Sequence, residues 1–146
     1  MIRTENKPVE QIVESLGNSQ NIYVLVCGGC PEGAETTTPE MLDKTTEAVA
    51  AAGKKILGRA TVDFLCHKAL TLSRLQAPEF NGAWRKADRI LVFSCGIGVA
   101  AAAAAMGALP RPDSLENKPR LTPDWMVLLM MAPTKPPVAA VGEKAW

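Results

Sequence analysis

The four cysteines are the residues of this chain best suited to metal or redox chemistry. Cys27 and Cys30 form a Cys-x-x-Cys pair, whereas Cys66 and Cys95 each stand alone later in the sequence. Thiolates hold iron–sulfur clusters and tetrahedral zinc ions, and a Cys-x-x-Cys pair can also work as a redox dithiol. The residue types therefore raise three alternatives: a cluster, a zinc ion or a reversible disulfide.

Three predicted strands place these cysteines along the chain. Residues 21–26 form a nearly continuous apolar run, which is typical of a strand buried on both faces. Weaker or shorter runs at 54–62 and 89–94 predict two more strands, and each of the three is followed closely by cysteine. The carboxyl ends of parallel strands meet at one edge of a sheet, with neighbouring strands about 4.8 Å apart. We therefore expect all four cysteines to converge on one metal centre.

Predicted helices separate the strands. Residues 9–16 have the apolar spacing of a helical face, and Asn6 is the predicted cap. A second helix is predicted to begin near Thr37 or Thr38, with Glu40 completing a capping box. A third is predicted to begin at Asp63 and to carry the third cysteine in its first turn, and the alanine-rich segment predicts a fourth.

This alternation of strands and helices predicts an α/β fold. We expect residues 1–110 to form a small Rossmann-like, three-layer domain with a mainly parallel sheet. Proline recurs from position 110 onward, so residues 111–146 are predicted to be a Pro-rich C-terminal extension that packs on this domain or on a partner. Ligands of such folds bind outside the carboxyl ends of the strands, where the cysteines are predicted to lie.

The cysteine spacing favours an iron–sulfur cluster over zinc. Structural zinc commonly uses two short Cys-x-x-Cys knuckles, and this chain has one. A cluster is larger, so ligands from several loops can reach it. Glycines next to the cysteines allow close backbone approach and can donate N–H groups to the sulfides. Zn²⁺ remains the alternative, whereas a dithiol at Cys27 and Cys30 would leave the other two cysteines unexplained.

Composition excludes several other functions. The 16 basic and 15 acidic residues give a net charge of +1 without a basic cluster, so we expect no nucleic-acid partner. One histidine, His67, is too few for a zinc hydrolase site built on two or three imidazoles. No paired carboxylates, activated nucleophile or phosphate loop is evident, so we expect no substrate chemistry in this chain.

The expected location is cytoplasmic. The N-terminal residues lack the apolar core of a signal peptide. Residues 90–109 carry no charge and are long enough to span a bilayer, but a glycine-containing break and many alanines favour a strand, a turn and a helix. We therefore expect no membrane partner. In a reducing compartment, the cysteines are more suited to ligation than to disulfides.

Four short segments also resemble a known family. They are residues 7–12, 24–30, 61–66 and 95–99, and they read KPVEQI, VLVCGGC, TVDFLC and CGIGV. In this order and spacing the chain resembles the methylenetetrahydrofolate reductase C-terminal domain family, the small zinc/iron–sulfur subunit of bacterial methylenetetrahydrofolate reductase, in a shortened form. The resemblance covers about Lys7 to Pro110.

The resemblance implies a partner and a cofactor. The partner would be a flavin-bearing reductase subunit of one-carbon metabolism, to which this chain would pass electrons. One [4Fe–4S] cluster would be ligated by Cys27, Cys30, Cys66 and Cys95. The family usually has a further cysteine after the Cys-x-x-Cys pair and a second cysteine-rich segment, and this chain has neither. We therefore expect a single-cluster accessory subunit; the alternative is a scaffold subunit with a structural zinc.

Overall fold

A parallel sheet forms the centre of the protein in the computed structural model, which describes residues 4–5, 7–30, 35, 37–80, 82–107, 126–129 and 132–133. Its strands are Asn21–Cys27 (β2), Lys55–Val62 (β3), Arg89–Phe93 (β4) and Met126–Leu129 (β5). They are arranged in the order β3-β2-β4-β5, and all three pairings are parallel. A separate antiparallel pair joins Thr4–Glu5 (β1) to Ala132–Pro133 (β6).

Helices cover the sheet and follow its strands along the chain. They are Val9–Ser15 (α1), Pro39–Ala51 (α2), Lys68–Gln76 (α3) and Gly96–Gly107 (α4). Short 3-10 turns at Pro78–Phe80 and Ala83–Lys86 connect α3 to β4. The predicted α/β fold with a parallel sheet is confirmed. Among the helices within the described ranges, none has the length and apolarity that crossing a membrane requires.

Both faces of β2 are buried, which explains its continuous apolar sequence. Tyr23, Leu25 and Cys27 belong to a core cluster that includes residues of α3 and α4. The alternate residues of β2 belong to a second cluster, with residues of α1 and α2. The sheet therefore separates two helical layers and two hydrophobic cores.

The chain changes direction across the sheet between β2 and β4. The connection through α2 places β3 on one side of β2, and the connection through α3 returns to place β4 on the other side. The loops that follow β2 and β4 therefore leave toward opposite faces. This arrangement creates the crevice in which parallel α/β folds bind their ligands.

Helix α2 begins where the sequence predicts, near Thr37 or Thr38, but its cap differs in detail. The hydroxyl of Thr38 accepts a hydrogen bond from the Met41 N–H at 3.3 Å, so Thr38 is the cap of α2 and the capping box of Thr37 with Glu40 is wrong. Glu40 instead lies in the first turn, where its own backbone amide and the Thr38 hydroxyl lower its carboxyl pKa. The predicted cap of α1, Asn6, lies outside the described residues, and Pro8 occupies the cap position.

The start of α3 also corrects a prediction that concerns a cysteine. The helix begins at Lys68, because the imidazole Nδ1 of His67 accepts the Leu70 N–H at 3.1 Å. Residues 63–66 form a turn closed by a 2.7 Å bond from the His67 N–H to the Phe64 carbonyl. Asp63 is therefore no cap, and Cys66 lies in the turn before the helix.

Part of the C-terminal extension joins the sheet as an edge strand. Residues Ile90 to Phe93 of β4 pair in parallel with Met126 to Leu129 of β5. Residues 126–129 of the extension therefore add a fourth strand to the sheet.

Asp88 connects the amino ends of β2 and β4. Its carboxylate accepts the backbone N–H of Gln20 at 3.0 Å and of Asn21 at 2.8 Å. We expect Asp88→Ala to lower the free energy of unfolding by about 1.5 kcal/mol, because hydrogen bonds to a charged group are lost. Urea denaturation measures this.

Asp43 provides the matched control, since its carboxylate makes a 3.7 Å ion pair with Arg59 and both side chains are exposed. Exposed pairs contribute about 0–1 kcal/mol, so Asp43→Ala should change stability little. Equal losses from the two alanine variants would contradict the structural role of Asp88.

Candidate metal centre

Cys27 is the last residue of β2 and lies in the core. Its side chain is 4% exposed and belongs to the same cluster as Val62, Leu65 and Val99. The next residue continues the β-ladder, because the Gly28 N–H donates to the Val62 carbonyl at 3.1 Å. The hydrogen-bonded sheet therefore fixes the backbone at Cys27.

Cys30 lies three residues later and is exposed. The loop between the paired cysteines touches the turn that carries the third one. A Cβ built on Gly29 would lie 3.1 Å from the Phe64 ring and 3.4 Å from the Phe64 nitrogen. A side chain at position 29 would therefore crowd the Phe64 ring, and glycine permits the close approach of the two loops.

Cys66 is exposed and sits in the turn after β3. Phe64 in this turn has φ +54°, a left-handed conformation that costs a residue with a side chain roughly 1–3 kcal/mol. The turn is held by buried Leu65, whose carbonyl accepts a 3.1 Å hydrogen bond from the Thr71 hydroxyl. The fold therefore stabilises a strained backbone next to a cysteine, as is common at binding sites.

Cys95 follows β4 and is partly buried. Its carbonyl accepts the first hydrogen bond of α4, from the Val99 N–H at 3.0 Å. The first turn of this helix approaches the other loops closely. A Cβ on Gly98 would lie 3.3 Å from the Leu65 Cβ and would collide with the Ser94 hydroxyl.

The structure places all four cysteines at the carboxyl edge of three adjacent strands, β3, β2 and β4. The turn at 63–66 lies against the loop after β2, through Phe64 and Gly29, and against the first turn of α4, through Leu65 and Gly98. Within the described ranges, however, no three His, Cys, Asp or Glu side chains are grouped closely enough to hold a metal ion. The cysteines share an edge without being gathered into a ligand set.

A small cavity lies beside Cys27 on the α2 side of this edge. Its volume is about 100 Å³. The lining is mainly apolar, with two threonine side chains, and consists of Val26, Cys27, Thr37, Pro39, Leu42 and Thr61. The cavity therefore lies at the end of β2, on the face opposite the core cluster that contains the Cys27 side chain.

Sequence patterns did not single out the apolar residues at this edge. In the described part of the chain, the large exposed hydrophobic side chains are Phe64, 55% exposed, and Ile97, 59% exposed. Each is two residues from a single cysteine, Cys66 or Cys95. The signal available in the sequence was an apolar residue in a segment predicted to be a loop or a helix start.

Comparisons with protein-family models, curated proteins and solved structures found no match. The likeness of the four short segments to the methylenetetrahydrofolate reductase C-terminal domain family therefore stays a resemblance. The carboxyl edge of β3, β2 and β4, where the four cysteines lie, is called the cysteine edge below.

Proposed function

We propose that this protein is an iron–sulfur electron-transfer or accessory subunit of a flavin-dependent reductase complex, with one [4Fe–4S] cluster at the cysteine edge. The observation that carries the proposal is the position of the cysteines: each lies at the end of, or shortly after, one of three adjacent strands at the carboxyl edge of one sheet. The proposed ligands are Cys27, Cys30, Cys66 and Cys95.

The chemical type of the donors suits such a cluster, although their side chains are not grouped as a ligand set within the described residues. All four cysteines are free thiols, which is the ligand set of a [4Fe–4S] cluster. Cys27 is fixed by the sheet, whereas Cys30 and Cys66 are exposed on the loops that follow β2 and β3. For one cluster to be bound by all four thiols, Cys30 and Cys66 would have to move toward Cys27 and Cys95 on metal binding, which is commonly coupled to such rearrangement.

The surroundings of the edge suit electron transfer rather than substrate chemistry. When bound, a [4Fe–4S] cluster supplies one-electron redox chemistry. The burial of Cys27 keeps water from one side of the site, while the exposure of Cys30 and Cys66 keeps the other side near the surface. A cluster at this edge would therefore lie within reach of a redox partner.

The partner that we propose is the flavin-bearing subunit of a methylenetetrahydrofolate reductase, in a cytoplasmic setting of one-carbon metabolism. The resemblance of the four segments supports this choice. The exposure of Phe64 and Ile97 supports docking at the cysteine edge, because exposed large apolar side chains are typical of protein interfaces.

Anaerobic purification tests the proposed cluster. We expect a brown protein with four irons and four sulfides per chain, and with broad visible absorbance that bleaches on reduction. A colourless protein with one zinc per chain would overturn electron transfer and support the scaffold alternative. A metal-free protein with a reversible Cys27–Cys30 disulfide would overturn both.

The docking surface gives a separate prediction. Phe64→Ser combined with Ile97→Ser should weaken binding to the flavin-bearing reductase subunit by about 100-fold, since each lost apolar contact contributes about 1.5 kcal/mol or more. Cluster content should stay unchanged, because neither side chain is a ligand. Surface plasmon resonance under anaerobic conditions measures the affinity.

Glu14 serves as the control, since it is exposed in the last turn of α1, which leads into the amino end of β2. Glu14→Ser should leave the affinity unchanged. If the double variant bound as tightly as the native protein, the docking surface would have to lie elsewhere.

A further inference from the structure

The start of α4 presents backbone N–H groups that have no partner. The first hydrogen bond of this helix runs from the Val99 N–H to the Cys95 carbonyl at 3.0 Å. Among the described residues, no hydrogen bond engages the N–H groups of Gly96, Ile97 or Gly98. Together with the dipole of a 12-residue helix, these N–H groups give this end a positive potential, which favours a negatively charged ligand.

A second observation at this helix end is the buried hydroxyl of Ser94, the residue directly after β4. Ser94 is 0% exposed, and its Oγ has no hydrogen-bond partner among the described residues. The hydroxyl is directed at the first turn of α4, because a Cβ built on Gly98 would collide with it. A buried hydroxyl without a partner is costly, so in a native protein it calls for a specific explanation.

The two glycines of this first turn differ in their surroundings. Gly98 is required for packing, since a Cβ there would also lie 3.1 Å from the Ser94 Cβ and 3.3 Å from the Leu65 Cβ. Gly96 faces open space, because a Cβ there meets nothing within 4 Å. Gly96 and Ile97 are both exposed, so a ligand can approach their N–H groups from the solvent.

This helix end lies where parallel α/β folds bind their ligands. The loops after β2 and β4 leave toward opposite faces, and α4 begins at the carboxyl end of β4. A dinucleotide site of this kind uses three glycines, G-x-G-x-x-G, and position 101 is alanine here. With Gly98 engaged in packing, Gly96 is the open glycine at which a ligand can approach the backbone. The loop therefore suits a single phosphate group better than the pyrophosphate of a dinucleotide.

We infer that the start of α4 binds a single phosphate group, either free phosphate or a phosphate monoester. The N–H groups of Gly96 and Ile97 donate hydrogen bonds to its oxygens, and the Ser94 hydroxyl supplies a third donor. A serine side chain has three staggered rotamers, so the hydroxyl can turn from Gly98 toward the helix end when a phosphate oxygen offers an acceptor. The inference goes beyond the proposed function and does not rest on it, because none of these donors is a cysteine thiol.

Isothermal titration calorimetry of the purified protein with inorganic phosphate tests this site. We expect one phosphate per chain, and about tenfold weaker binding in Ser94→Ala, since a hydrogen bond to a charged group is lost. Thr45→Ala is the control, because its hydroxyl is equally buried but donates to the Met41 carbonyl at 2.8 Å within α2. This control should bind phosphate as the native protein does.

Substitutions at Gly96 test the backbone donors. Gly96→Pro removes one N–H at the first position of the helix, where proline is well tolerated, and should weaken phosphate binding about tenfold. Gly96→Ala is the matched control, because it keeps the N–H and its methyl group meets nothing within 4 Å. Circular dichroism checks that Gly96→Pro keeps its helices. In the native protein, the amide NMR resonances of Gly96 and Ile97 should shift when phosphate is added.

A native protein that binds neither inorganic phosphate nor adenosine monophosphate would overturn the phosphate site. Unchanged phosphate affinity in Ser94→Ala or in Gly96→Pro would also overturn it, because the site requires both donors. Tighter binding of adenosine monophosphate than of phosphate would identify a monoester as the ligand, and the reverse order would identify free phosphate. Metal content is a separate measurement, so a metal-free protein that binds phosphate would overturn the proposed cluster alone.

Discussion

Replacing Cys66 by serine is expected to reduce the metal content of the purified protein from one cluster per chain to nearly none. Cys66 is exposed in the turn after β3, and within the described residues its side chain makes no packing contact that the core needs. Its loss should therefore act on metal binding and leave the fold intact. A serine hydroxyl is a poor substitute, because the ligand of these clusters is a thiolate.

Iron and sulfide analysis, together with visible absorbance, measures this effect. The neighbouring His67→Asn is the matched control, because asparagine can replace the imidazole as the helix cap of α3 without offering a ring nitrogen to the metal. We expect full cluster content in this control. Circular dichroism of both variants should match that of the native protein.

Two results would contradict the shared site. Unchanged metal content in Cys66→Ser would remove this loop from the centre, and the same result in Cys95→Ser would remove the loop after β4. If His67→Asn lost the cluster while Cys66→Ser kept it, the ligand would be the imidazole. Because the chain has four cysteines in total, these two serine variants test the two that stand outside the Cys-x-x-Cys pair.

The sheet could be predicted from the sequence because a strand that is buried on both faces has a continuous apolar sequence. The segment from Asn21 to Val26 is almost entirely apolar, and in the structure Ile22 to Val26 are all buried. A strand packed between two helical layers requires this composition. The alternation with helices then fixed the parallel topology, and with it the edge at which the cysteines lie.

The details of the cysteine loops could not be predicted in the same way. The prediction that Asp63 caps α3 was wrong. Residues 63–66 form a turn, in which the His67 N–H donates to the Phe64 carbonyl, and the His67 imidazole caps the helix instead. The left-handed conformation of Phe64 occurs where its turn lies against Gly29 of a loop distant in sequence. Such a conformation depends on tertiary packing, which neither propensity nor periodicity records.

The burial of the Ser94 hydroxyl could not be predicted from the sequence either. In the sequence, Ser94 is simply the last residue of a predicted strand, next to a cysteine. The structure shows that its hydroxyl is buried and has no hydrogen-bond partner among the described residues, and that the first turn of α4 packs over it. Sequence reasoning thus located the edge, and three-dimensional contacts identified which residues around the edge touch one another.

Gly98→Ala is expected to cause the largest loss of stability of any single methyl group added near this edge. The new Cβ would collide with the Ser94 hydroxyl and would also lie 3.1 Å from the Ser94 Cβ and 3.3 Å from the Leu65 Cβ. Two of these neighbours are atoms attached directly to the backbone, so the first turn of α4 has to move. We expect the free energy of unfolding to fall by about 3 kcal/mol, the upper end of the usual cost of overpacking.

Gly96→Ala is the matched control, because a Cβ there meets nothing within 4 Å. Alanine is also the better helix former, so this variant should be as stable as the native protein or slightly more stable. Urea denaturation of the metal-free proteins compares the two variants without a contribution from ligand binding. Equal stability of Gly96→Ala and Gly98→Ala would contradict the close contact between α4 and the loop after β4.

A second substitution distinguishes a local collision from a general weakness of the helix. Combining Gly98→Ala with Ser94→Gly removes both serine atoms that the new methyl group would meet, and it leaves the milder contact with Leu65. Residues in contact give non-additive effects, so the double variant should lose less stability than the two single losses added together. Since Cys95 lies between Ser94 and Gly98, the displaced helix turn should also lower the metal content of Gly98→Ala, and the double variant should recover part of it.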